Sequence, residues 1–109
     1  MRNATVSVLK PSGILTSATA TSLLEDFQKC IDDKVKDVLI DLSDVHFIDS
    51  AGLGTLVSMQ TRLRLADGRM YICSPNDQAR QLFDIADMES VFDIYPNQAV
   101  FYAAFRRIG

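Results

Sequence analysis

Two cysteines and one histidine are all that this sequence offers in thiols and imidazoles. Cys30 and Cys73 form no Cys-x-x-Cys pair and have no histidine close by, which argues against a zinc site. Both fall on apolar positions and are expected as buried, inert thiols. Nucleophilic catalysis through a Ser–His or Cys–His pair would have to route through His46. That residue lies in Ser43-Asp44-Val45-His46-Phe47, where a surface or loop role is expected. A basic surplus is also missing. Eleven Lys+Arg against fourteen Asp+Glu leave a net charge of −3, which argues against a dedicated nucleic-acid binder. Apolar runs are only a few residues long, far short of the ~20 that a membrane helix needs. Met1-Arg2-Asn3-Ala4 leads into alternating residues and lacks the apolar core of a signal peptide. These absences lead to the expectation of a soluble, cytoplasmic, non-enzymatic protein with no metal, no cofactor and no membrane insertion.

What is present is an ordinary globular composition, with 48% apolar and 23% charged residues over 109 positions. The length fits one domain, residues 1–109, burying roughly two-thirds of its surface. Residues 5–10 alternate and are β-branched, as in a half-exposed strand. Pro11-Ser12-Gly13 reads as a turn before a short apolar Gly13-Ile14-Leu15, so a hairpin is expected at the start. Thr16 or Ser17 is expected to cap a helix whose apolar stripe is Leu23, Leu24, Phe27, Cys30 and Ile31.

Residues 37–42 form a nearly continuous apolar run, the mark of a strand covered on both faces. Met70-Tyr71-Ile72-Cys73 has the same look, and a helical stretch, about residues 51–66, lies between them. Strand, crossover helix and strand make a parallel, right-handed βαβ unit. Ser74-Pro75 is expected to open another helix with Ala79, Leu82, Phe83 and Ala86 inward. Val91–Ile94 should be a last strand, and Pro96-Asn97 should begin a terminal helix with Val100, Phe101, Ala104 and Phe105 facing the sheet. The fold class expected is α/β: a small mixed sheet of four or five strands, a hairpin first and crossover α-helices after it.

The informative stretch is Phe47-Ile48-Asp49-Ser50-Ala51-Gly52-Leu53-Gly54, between a buried strand and the central helix. Ligands and partners usually meet a parallel α/β fold at such strand C-termini. Ser50 is placed as an N-cap, and Asp49 beside it either holds the loop or supplies an acid next to the hydroxyl. Gly52 and Gly54 cost ~1 kcal/mol each relative to Ala in a helix. They either allow tight packing on the sheet or leave backbone amides open to another molecule. The segment lacks the third glycine of a dinucleotide-binding turn, the Gly-Lys-Ser/Thr of a phosphate loop, and the Gly-x-Ser-x-Gly of a hydrolase. What the spacing supports is a serine hydroxyl at a helix N-terminus, where an added phosphate would be favoured by the helix dipole.

Val38-Leu39-Ile40-Asp41-Leu42 followed by Val45-His46-Phe47-Ile48-Asp49-Ser50-Ala51-Gly52-Leu53-Gly54 resembles the signature of STAS domains, and above all that of the anti-sigma factor antagonists (anti-anti-sigma factors). The likeness extends to the Gly13-x-Leu15 turn, Asp67-Gly68, and Pro75 with Leu82-Phe83. It implies a non-enzymatic partner switch in which Ser50 is phosphorylated by an anti-sigma factor that is a serine kinase with a histidine-kinase-like ATPase fold. A metal-dependent serine phosphatase would reverse the modification, and the unphosphorylated form would bind the kinase. Thr16, Asp49, Ala51, Gly52, Leu53 and Gly54 are the implied partner-binding residues, with Leu53 expected to be the main exposed apolar contact. Thr16 stands where many such antagonists have an aspartate, and Ala51 where many have Ser or Thr. A STAS-like accessory subunit of a membrane transport complex is the alternative, and a small-nucleotide sensor using the amides at Gly52–Gly54 is a third.

Overall fold

The computed structural model describes residues 5–108, so the reading of Met1–Ala4 lies outside the described residues. In chain order the elements are β1 (Ser7–Leu9), β2 (Ser12–Leu15), α1 (Ala20–Asp32), β3 (Asp37–Asp41), β4 (Asp44–Ile48), α2 (Ser50–Leu65), β5 (Arg69–Cys73), α3 (Asp77–Ile85), β6 (Asp93–Tyr95) and α4 (Gln98–Ile108). The fold is α/β, as the alternation of buried runs and amphipathic stripes predicts. One sheet has the order β1-β3-β5-β6 and a second contains β2 and β4.

Every strand pairing among the described residues is parallel, so the expectation of a mixed sheet is corrected. The opening hairpin is corrected too. Leu9 pairs with Ile40, and after the break at Lys10-Pro11 the chain continues so that Ser12 pairs with Asp44. Pro11 has no N–H to give to a ladder, so it interrupts the strand without reversing it. The β1/β3 pair thus runs on into the β2/β4 ribbon, which carries the loops at its far end beyond the main sheet.

β3 is buried at every position, which is why it reads as a continuous apolar run. Its Val38 and Ile40 join Met70 and Ile72 of β5 beneath Leu23 and Phe27 of α1, Leu56, Met59 and Leu63 of α2, and Phe83 of α3. Leu39, Tyr71 and Cys73 point the other way, against Phe101 and Phe105 of α4. The βαβ unit is therefore present, with β3 and β5 in register from Asp37 opposite Arg69 to Asp41 opposite Cys73. Val100 was expected inward but is 44% exposed, because it lies one helical step from the Phe101 stripe.

Helix starts differ from the predicted caps. α1 begins at Ala20, and the Thr16 carbonyl instead accepts the N–H groups of Thr19 and Ala20 at 3.2 and 3.0 Å. α3 begins after Asn76, whose Oδ1 accepts the Ala79 N–H at 2.9 Å, with Pro75 one residue before this cap.

Candidate functional site

β2 and β4 end side by side, Leu15 opposite Ile48, and deliver two loops to one place. The Asp49 N–H donates to the Leu15 carbonyl at 3.3 Å. Asp49, in extended conformation, is the N-cap of α2: its Oδ1 accepts the Gly52 N–H at 2.8 Å, and its carbonyl accepts the Leu53 N–H at 2.9 Å. Ser50 was expected in that role. It is instead the first helical residue, exposed, and its hydroxyl makes no hydrogen bond to any described residue.

The two glycines have different reasons. A Cβ on Gly52 would stand 2.1 Å from the Leu15 carbonyl oxygen, so only glycine lets the helix start pack on the first loop. Around Gly54 there is nothing within 4 Å of such a Cβ. Gly54 therefore leaves bare helix surface beside the exposed Ser50 and Ala51. The amides of Gly52 and Leu53 are already engaged by Asp49, which removes the basis for a nucleotide site built on them.

Thr16 sits half-buried in the loop that follows Leu15. Its N–H donates to the Thr19 hydroxyl oxygen at 2.9 Å, and that hydroxyl donates to the Ile14 carbonyl at 2.6 Å, which folds the β2–α1 turn. The structure thus brings Thr16, Asp49, Ser50, Ala51, Gly52 and Gly54 together. Leu53 is corrected: at 7% exposure it belongs to the core, one turn before Leu56, and cannot be an exposed contact.

The apolar residues that do face outward here are Ile14 and Phe47, 52% and 44% exposed and directly opposite one another on the ribbon. The pairing shifts between Gly13, at φ +77°, and Ile14, leaving His46 as an extra residue on β4. This shift turns Phe47 out and Ile48 in, contrary to simple alternation with the buried Val45. The Gly13-Ile14 pair was the only local signal.

α3 supplies residues that the sequence reading left out. The Gln78 carboxamide accepts the Ile48 N–H at 2.9 Å and donates to the Ile48 carbonyl at 2.7 Å, while Asn76 Nδ2 donates to the His46 carbonyl at 2.9 Å. At the end of β3, Asp41 is buried. Burial pushes its pKa up, but the Ser43 N–H at 2.9 Å and the Gln98 amide at 2.6 Å outweigh this and hold it below its ordinary value.

The STAS domain description matches residues 2–100. The chain belongs to the STAS domain family. This STAS domain is 28% identical over 86 residues to the anti-sigma-B factor antagonist of Staphylococcus aureus, covering 79% of this chain and 80% of that one. An anti-sigma factor antagonist from Mycobacterium paratuberculosis superposes with a TM-score of 0.82 at 27% identity, over 93% of this chain and 86% of that one. SpoIIAA, solved in its unphosphorylated form, shares the fold with a TM-score of 0.70 at 18% identity, over 100% of this STAS domain and 94% of SpoIIAA. Among the described residues no group of His, Cys, Asp and Glu is arranged to hold a metal, and no helix is long and apolar enough to cross a membrane.

Proposed function

We propose that this STAS domain is an anti-sigma factor antagonist controlled by phosphorylation of Ser50. The observation that carries the reading is the exposed Ser50 hydroxyl at the first position of α2, without a hydrogen-bond partner among the described residues, on a backbone held by Leu15 and Asp49. The names of the Staphylococcus and Mycobacterium relatives support the antagonist role. Unphosphorylated, the domain binds an anti-sigma factor that is a serine kinase with a histidine-kinase-like ATPase fold. The kinase covers Ser50, Ala51 and the bare surface at Gly54, and takes Ile14 and Phe47 as apolar contacts.

Phosphorylation forms a bond from Ser50 Oγ to the γ-phosphorus of ATP. The bond to ADP breaks, and the hydroxyl proton passes to a base of the kinase. The net charge moves from −3 to about −5. Screening confines the change to about 8 Å, so release follows from charge and volume at the interface, with the sheet unmoved. A metal-dependent serine phosphatase restores the binding form.

The test is intact mass and peptide mapping after incubation with the serine kinase encoded nearest to its gene and ATP. One phosphoryl group on Ser50, absent in Ser50→Ala, is the expected result. Phosphate on Thr16, Ser17 or Ser58 overturns the assignment. Stable binding of a permease or transport ATPase, indifferent to Ser50, favours the accessory-subunit reading.

A further inference from the structure

Among the described residues β4 has β2 along one edge, and no strand lies along the other. A strand edge buried without partners would leave N–H and C=O groups unsatisfied. Here the first turn of α3 takes the place of a strand. Gln78 meets both backbone groups of Ile48, at 2.9 and 2.7 Å, as a neighbouring peptide would, and Asn76 meets the His46 carbonyl. Ile48 is fully buried and stands two residues before Ser50. From the opposite side, Leu15 receives the Asp49 N–H. The backbone that carries Ser50 is therefore clamped between two elements from distant parts of the chain.

We infer that Gln78 is a positioning residue for phosphoryl transfer, its carboxamide fixing Ile48 so that the Ser50 hydroxyl is presented in line with the attacking geometry. This rests on the reading of Ser50 as the phosphoryl acceptor. The Gln78 side chain is half-buried against β4 and does not belong to the surface at Ser50, Ala51 and Gly54. Its removal should change turnover more than kinase binding, since displacement of a reacting group by an ångström costs up to about 100-fold in rate.

The experiment compares wild type with Gln78→Ala and Gln78→Met, the latter keeping volume while losing both hydrogen bonds. Phosphorylation kinetics with the serine kinase encoded nearest to the gene are read beside amide hydrogen exchange. A domain that stays folded by even a few kcal/mol is more than about 99% native, so a merely structural role leaves kcat unmoved. The expected result is a kcat lowered about 10- to 100-fold with KM within about twofold. The Ile48 amide should exchange faster while those of β3 and β5 keep their rates. An undiminished kcat in Gln78→Met, or a change confined to KM, overturns the inference alone. No phosphate on wild-type Ser50 overturns the reading beneath it.

Discussion

The carbonyl oxygen of Leu15 and the α-carbon of Gly52 are packed so closely that a methyl group on Gly52 would stand 2.1 Å from the oxygen. The same carbonyl accepts the Asp49 N–H, so one backbone oxygen joins the turn after β2 to the start of α2. This contact holds the loop that continues into Thr16 against the helix start that carries Ser50, although the two are far apart in sequence.

Gly52→Ala should therefore destabilise the domain by about 1–3 kcal/mol, as overpacking of backbone against backbone does. Gly54→Ala should stabilise it by up to ~1 kcal/mol, since its methyl group meets nothing within 4 Å. Urea titrations of both variants check the contrast; equal effects at the two glycines would contradict it.

Asp49 is the cap of α2, and Ser50 is not. Asp49→Ala should cost about 1 kcal/mol, and Asp49→Asn much less, because an amide oxygen can still accept the Gly52 N–H. Ser50→Ala should stay within about 0.5 kcal/mol of wild type, as for an exposed position whose side chain has no partner among the described residues. Thermal unfolding of the three variants separates these outcomes.

Both thiols should be inert in the folded protein. Burial pushes Cys30 upward and Cys73 up to about 11, which leaves Cys73 almost no thiolate at pH 8, and both sulfurs are shielded from reagent by the core. Mass spectrometry after treatment with an alkylating reagent should find no adduct at pH 8 until denaturant is added. Rapid native labelling of Cys73 would be the contrary result.

Asp41 should contribute to acid sensitivity. Its folded pKa lies below the ordinary 3.8, so its stabilising effect is complete above that value and is lost as pH falls through the folded one. In Asp41→Asn, the stability deficit relative to wild type should be largest near neutrality and shrink below about pH 4. Denaturant midpoints measured across that range test the sign.

Much of this domain was legible locally. A fully buried strand announces itself as an unbroken apolar run, as Val38–Ile40 does, and the stripes of α1 and α3 follow from 3.6-residue periodicity. The placement of Ser50 at a helix start could be read because a strand pattern gives way to a helical one at Asp49. Other features depended on which strand lies beside which. Pro11 looks the same in a hairpin and in a strand that continues. Only the pairing of β2 with β4 distinguishes them. The outward Phe47 and inward Ile48 result from a register shift that involves Gly13 of another strand, and periodicity within one element cannot register it. Leu53 read as an exposed contact because the first turn of a helix is usually solvated; α2 starts so close to Leu15 that its fourth residue is already in the core. Gln78 carries no signal at all in sequence, because a carboxamide becomes a strand surrogate only when folding sets it against an unpaired backbone edge thirty residues away.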